Sequence, residues 1–320
     1  MSATQSARAS WMLVAVTFLW GASFSWTYAW QEASKGRVHP LLAGLTLIGL
    51  RMPLALLVLT LWQPRVVLGV NRAEFAGGMV LGTVFFSGFA LQTWGLAFTT
   101  PALSAFFTTV CSAWVPLLCW VAFRERPRLL TLAGLGVGLL GCAVLVKGWK
   151  LNFGDWLTLI SSVLFAVQMI LLDRLGKRLD PAKLSAGFLI ATGLLGVGGA
   201  LIVADQTLGV EAWAGWTREM LAVPQLAGSV VGLAILATAI AFHWMNSYQP
   251  HVSVTRAGLI YLLEPVFATI FSLLIGHEPF RWALALGGAL IIAGNVLVEV
   301  PGWLYGERPR GDGRTGAPGS

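Results

Sequence analysis

Ten apolar runs of 17 or more residues, most of them free of charge, follow one another along this 320-residue chain. Bounded by the nearest polar residues, they cover 11–30, 40–62, 75–98, 101–123, 129–146, 156–172, 184–204, 222–247, 252–276 and 282–298. A bilayer core is about 30 Å thick and a helix rises about 1.5 Å per residue, so roughly 20 apolar residues cross it. Within lipid a backbone must satisfy its own hydrogen bonds, which leaves helices or closed barrels. Barrel strands alternate polar and apolar residues over about 10 positions, and no such alternation occurs here. The expected fold class is therefore an all-α polytopic membrane protein with ten transmembrane helices. Its function concerns something that crosses a bilayer or is held within it.

Only 11% of the residues are charged and the mean hydropathy is +0.76, too apolar to solvate an ordinary globular surface. Between the runs only short loops remain, with no room for a soluble domain. The net charge of +7 raises the question of nucleic acid, but no basic cluster with interleaved aromatics lies outside the runs. A positive-inside bias accounts for it better, so the expected partners are the lipid bilayer and a small-molecule substrate, and not nucleic acid. Cys111, Cys119 and Cys142 lie inside the runs at no metal-ligand spacing and read as small core residues. No metal site and no cofactor are expected. The first run is longer than a signal-peptide core and reads as the first span. The Gly-, Pro- and Arg-rich end of the chain reads as a disordered tail.

Orientation follows from the lysines and arginines. With the amino terminus inside, thirteen fall on the inner side: Arg8, Arg65, Arg72, Arg124, Arg126, Arg128, Arg174, Lys177, Arg178, Lys183, Arg308, Arg310 and Arg314. Six fall outside: Lys35, Arg37, Lys147, Lys150, Arg218 and Arg281. Arg51 and Arg256 lie within spans. This asymmetry places both termini in the cytoplasm. The longest outer loop, 205–221, carries Trp213 and Trp216 as interfacial anchors.

An internal repeat is also legible. An offset of 153 residues sets Glu125 on Glu278, Arg128 on Arg281, Gly134 on Gly287 and Gly141 on Gly294. Upstream, an offset of 150 sets Gly82 on Gly232 and Trp94 on Trp244. Five spans per half is an odd number, so the second half must enter the membrane from the opposite side. Inverted repeats of this kind are a common plan in secondary transporters. The expected division is a cytoplasmic tail (1–10), a first five-helix repeat (11–147), a second (148–300) and a disordered cytoplasmic tail (301–320).

With these residues in view, the chain resembles an EamA-type member of the drug/metabolite transporter superfamily over roughly residues 11–300. The resemblance rests on Leu19-Trp20-Gly21-Ala22-Ser23-Phe24, on Arg51, on Val115-Pro116-Leu117-Leu118 followed by Arg124-Glu125-Arg126-Pro127, and on Glu264-Pro265-Val266-Phe267-Ala268 followed by Gly276-His277-Glu278. Met52 after Arg51 and His277 before Glu278 depart from the usual pattern. The resemblance implies a 5+5 inverted repeat with cytoplasmic termini and a central cavity lined by spans 1, 3, 4, 6, 8 and 9. It also implies secondary transport of small organic solutes, commonly export of amino acids.

Charges at membrane depth cost about 2.5–3.5 kcal/mol on insertion scales and mark functional sites. Arg51, midway along span 2, reads either as an anion site or as a structural partner of a carboxylate or of a carbonyl freed near Pro53. Glu264, midway along span 9, reads either as a proton-loading carboxyl or as one member of a fixed salt bridge to Arg51 or Arg256. Arg256 otherwise snorkels to the cytoplasmic interface. His243 can titrate near neutral pH or serve as a packing residue. Gln92, Gln168 and Asn246 are candidates for polar substrate contacts or for interhelical hydrogen bonds worth about 0.6 kcal/mol each. Trp20, Trp94 and Trp244 are candidate stacking surfaces, set against the packing and belt roles that most of the fifteen tryptophans serve. Pro116 and Pro265 are candidate hinges. Gly134 and Gly138 form a GxxxG that suits close helix contact within one protomer or across a homodimer.

No convergent nucleophile, base or metal-ligand set indicates an intramembrane enzyme, and no polar stripe or charged ring indicates a channel. The reading that emerges is a secondary transporter in a bacterial inner membrane, a proton-motive or facilitated exporter of small metabolites such as amino acids. A facilitative channel or uniporter is the alternative.

Overall fold

The structure, a computed structural model, describes residues 3–124, 129–145, 151–277 and 279–305. It is helical throughout, with no strand among the described residues. The first five helices are α1 (Ala3–Ser34), α2 (Pro40–Trp62), α3 (Pro64–Leu68), α4 (Arg72–Gly95) and α5 (Pro101–Thr109). There follow α6 (Cys111–Phe123), α7 (Leu129–Leu145), α8 (Phe153–Leu175), α9 (Leu184–Thr207) and α10 (Val210–Ala222). The chain continues through α11 (Pro224–Ala234), a π-helical turn (Ile235–Ile240), α12 (Ala241–Tyr248), α13 (Val254–Tyr261), α14 (Glu264–Ile275) and α15 (Trp282–Tyr305).

Among the described residues eight helical segments are long and apolar enough to cross a membrane: Gln5–Ser34, Pro40–Trp62, Arg72–Gly95, Pro101–Phe123, Phe153–Leu175, Leu184–Thr207, Pro224–His251 and Arg256–Ile275. Shorter apolar stretches, Leu132–Gly141 and Trp282–Gly294, lie on α7 and α15. Two of the expected runs, 40–62 and 101–123, match the helical segments residue for residue.

Local chemistry sets the helix starts. Pro40, Pro64, Pro101 and Pro224 occupy first-turn positions, where a missing N–H costs nothing. Asn71 and Glu74 form a reciprocal capping box on α4, as do Asn152 and Asp155 on α8. Replacing Asn71 with alanine is expected to cost about 1 kcal/mol, read as a lower midpoint of thermal denaturation in detergent. Thr100 caps α5 by accepting from the Leu103 N–H, and Ser253 caps α13 by accepting from the Arg256 N–H, both at 3.3 Å.

Small residues bring the helices close. Helices α2 and α4 both pack on α9, α4 also packs on α8, and α1 packs on α14 and α12. A Cβ on Gly82 would lie 2.5 Å from the Phe188 carbonyl oxygen, and one on Gly21 would lie 2.5 Å from Phe267 Cβ. Helix α7 packs chiefly on α15. There a Cβ on Gly141 would lie 2.6 Å from the Gly287 oxygen, and one on Gly294 would lie 2.5 Å from the Gly134 oxygen. The backbone of the GxxxG stretch, at Gly134 and Gly138, thus meets Gly294 on α15 of the same protomer.

Several expectations need correction. Helix α1 begins at Ala3, so residues 3–10, expected as part of a tail, are helical and continuous with the first span. Helix α15 continues to Tyr305, so 301–305 are helical; residues 306–320 lie outside the described residues. So do the loop acids Glu125 and Glu278 and the side chain of Cys142, whereas Cys111 and Cys119 are buried and form no disulfide. The outer loop 205–221 folds largely as α10. Its Trp216 ring stands 5.8 Å from that of Trp30, and Trp213 Nε1 donates to Thr46 Oγ1 at 2.8 Å. These tryptophans pack against the first two spans.

The hinge prolines also differ from expectation. Span 4 is interrupted at Val110, between α5 and α6, while Pro116 sits inside α6. Span 9 is interrupted at Leu262 and Leu263, and Pro265 opens α14 rather than bending a continuous helix.

Candidate functional site

Helices from seven spans converge on a cavity of about 80 Å³, against the roughly 10–15 Å³ that one water requires. Spans 1, 3, 4, 6, 8 and 9 all contribute to its wall, and Arg51 adds span 2. Helix α1 gives Trp20, Ser23, Phe24 and Thr27; α4 gives Phe85, Phe89, Gln92 and Thr93; α5 and α6 give Thr108 and Cys111. Helix α8 supplies Phe165 and Gln168, α12 supplies Phe242 and Met245, and the broken span 9 supplies Tyr261 and Glu264.

Two opposite charges share this cavity without neutralising each other. Arg51 is 2% exposed. Its Nε donates to Thr238 Oγ1 at 2.8 Å, and its guanidinium carbon lies 5.0 Å from the Phe89 ring centroid. That contact is a cation–π interaction, which strengthens when desolvated. Glu264 is 6% exposed, placed at the first residue of α14 by the break that precedes it. A carboxylate is favoured near a helix N-terminus. Among the described residues neither side chain has an ion-pair partner, so the expected salt bridge from Glu264 to Arg51 or Arg256 does not form.

The other walls are held by polar side chains turned inward. Gln92 Nε2 donates to Thr108 Oγ1 at 2.5 Å, and Thr108 donates to the Ser104 oxygen at 2.8 Å. Gln168 Nε2 lies 4.0 Å from Met245 Sδ. Trp20 Nε1 donates to the Ala237 oxygen at 3.2 Å, with its ring 5.3 Å from Phe242 and 5.5 Å from Tyr261. Tyr261 donates to Gln249 Oε1, whose amide donates to the Met169 oxygen, each at 3.0 Å. An aromatic cluster forms part of the wall: Phe85 stands 4.8 Å from Phe242, 4.9 Å from Phe188 and 5.5 Å from Phe165.

Of the expected site residues, the fold brings Arg51, Glu264, Gln92, Gln168 and Trp20 to the cavity. It keeps the others away. Arg256 donates to Ser6 Oγ at 3.2 Å, tying α13 to the start of α1. Asn246 Nδ2 donates to Ser185 Oγ at 3.0 Å, an interhelical bond between α12 and α9. His243 packs edge-on against Trp62, with ring centroids 5.5 Å apart. Trp94 lies between His39 and Phe153, and Trp244 packs on the outside of the main core.

Phe89, Thr108 and Tyr261 line the cavity and Thr238 holds Arg51 although nothing in the sequence singles them out, and Cys111, expected only as a core residue, lines it too. The nearest to a signal was the hydroxyl-bearing positions in spans 4 and 8. The π turn that brings Thr238 to Arg51 has no mark in the residue pattern.

Comparison with known proteins agrees with this architecture. Residues 152–300 match the EamA-like transporter family. An uncharacterized transporter of Archaeoglobus fulgidus is 22% identical over 227 residues, covering 71% of this chain and 70% of the relative. A second from the same organism is 25% identical over 180 residues, covering 55% and 59%. A solved crystal structure with 22% identity superposes with a TM-score of 0.68 over 92% of this chain and 98% of that one, which establishes a shared fold. Eight apolar helices among the described residues make the chain a multi-pass membrane protein, and over its second half it is similar to the EamA-like transporters.

Proposed function

We propose that the protein is a secondary transporter that exports small organic metabolites, amino acids among them, across a bacterial inner membrane by alternating access. The carrying observation is the central cavity, in which Arg51 and Glu264 are both buried and neither has an ion-pair partner among the described residues. A buried charge without a partner is costly, and a carrier can recover that cost from a charged solute or a proton. Arg51 suits a carboxylate, and Glu264 suits a proton or an ammonium group.

The packing supports the 5+5 inverted repeat and a ten-span count that includes α7 and α15. The contact of α4 on α9 has its counterpart in α11 and the π turn on α2; that of α1 on α14 has its counterpart in α8 on α5 and α6. Helix α7 meets α15 through glycines that are themselves repeat-related. The caps at Thr100 and Ser253 are 153 residues apart, the same offset. Both termini are then cytoplasmic. The aromatic cluster forms part of the cavity wall, and the two halves rock about the cavity. A site walled by seven spans favours a carrier over a channel or an enzyme, and a monomer suffices for it, with a homodimer left to the lipid-facing surfaces.

The test is counterflow in liposomes with a radiolabelled amino-acid panel, with and without a pH gradient. Saturable uptake stimulated by solute on the far side is expected. Flux linear in concentration and indifferent to that solute would point to a channel.

A further inference from the structure

The single π-helical turn among the described residues lies in span 8, beside the cavity. Such turns are rare and gather at functional sites. This one holds two cavity side chains: Trp20 through the Ala237 oxygen and Arg51 through the Thr238 hydroxyl. Thr238 is 0% exposed and does not itself line the cavity.

The geometry of its hydroxyl is unlike that of the other threonines. Thr46, Thr93, Thr108, Thr158 and Thr192 each donate to the carbonyl four residues earlier. Thr238 donates to the Leu233 oxygen, five residues earlier, at 2.8 Å. That acceptor is within reach because the turn is widened. With its proton committed there, the hydroxyl can only accept, and a guanidinium can only donate. The Arg51–Thr238 bond therefore has a fixed direction and a fixed place.

We propose that Thr238, held by the π turn of span 8, is the positioning residue for Arg51. It keeps the guanidinium over Phe89 with its remaining N–H groups free for a carboxylate in the cavity. This rests on the carrier reading for its transport consequence, but not for the position of Arg51.

Two measurements separate those claims. Purified protein in detergent is modified with phenylglyoxal, and the rate at each arginine is read by peptide mass spectrometry for wild type, Thr238→Val, Thr238→Ala and Thr238→Ser. Loss of a hydrogen bond to a charged group should change the rate at Arg51 about ten-fold in the Val and Ala variants, with Ser within about two-fold of wild type. Half-buried Arg174, stacked on Phe123, reports general unfolding and should not change, and exposed Arg65 normalises the reagent. Equal rates at Arg51 in all four proteins, or a Ser variant that behaves like Val, would overturn the proposal.

In counterflow, Thr238→Val should raise the KM of a carried amino acid while leaving its maximal rate and the KM of the corresponding decarboxylated amine unchanged. A parallel loss for acid and amine would also overturn it. Should wild type carry neither probe, the carrier reading fails and the labelling result alone decides the position of Arg51.

Discussion

Glu264→Gln is expected to abolish pH-driven accumulation of substrate while leaving solute exchange intact. Glutamine matches the size of the protonated carboxyl and cannot lose a proton. In the structure Glu264 is 6% exposed and has no ion-pair partner among the described residues. Taking up a proton in the closed cavity removes an uncompensated buried charge, and water entering an open cavity lets the proton leave. One proton moved per solute under a gradient of one pH unit supports an accumulation of about ten-fold. The variant should fall to equal concentrations on both sides, measured in proteoliposomes with an imposed pH gradient. Exchange should persist, because the neutral amide holds this position permanently in its proton-loaded form. If the variant accumulates solute as wild type does, Glu264 serves packing alone.

Much of the membrane architecture is legible in the sequence because one physical demand dominates it. A backbone in lipid must be helical, so the apolar runs become helices, with ends set by proline and by Asn71 and Asn152 caps. The glycine pattern is legible for the same kind of reason. Close helix contact tolerates only small residues, and the offset that aligns Gly134 with Gly287 also aligns Gly141 with Gly294, which cross-pair in the structure. What the apolar pattern cannot reveal is irregular backbone. The breaks at Val110 and at Leu262–Leu263, and the π turn at Ile235–Ile240, lie inside unbroken apolar stretches. The π turn is stabilised by partners on other helices, Arg51 on Thr238 and Trp20 on Ala237.

The candidate site was legible where charge marks it and not where shape does. Arg51 and Glu264 stand out because ionised groups at membrane depth are expensive. Arg256, His243 and Asn246 looked equivalent by type, yet each meets a neighbour away from the cavity: Ser6, Trp62 and Ser185. Which face of a helix a polar residue occupies depends on where its neighbours pack. Trp94 and Trp244 mislead for the same reason, since one tryptophan in a span reads like another until its ring partners are known.

Helix pairing supplies the second large effect. Gly141→Leu and Gly294→Leu should each destabilise the protein by roughly 3 kcal/mol, whereas Gly136→Leu should leave it unchanged or slightly more stable. A side chain at 141 would meet the Gly287 oxygen at 2.6 Å and Leu290 Cβ at 2.7 Å. One at 294 would meet the Gly134 oxygen at 2.5 Å and the Gly138 nitrogen at 2.8 Å. These obstacles are mostly backbone, so no rotamer change relieves them, and α7 must separate from α15. Gly136 has nothing within 4 Å, so leucine there adds only helix propensity and a lipid-facing side chain. The measurement is the midpoint of thermal denaturation in detergent for the three variants side by side. Because the two contacts are repeat-related, 141 and 294 should lose similar amounts, and the double variant should lose less than their sum, since helices already forced apart leave the second side chain room. Equal effects at 136 and 141 would mean that α7 meets α15 through a different face, and the glycine register that links the two halves would be lost with it.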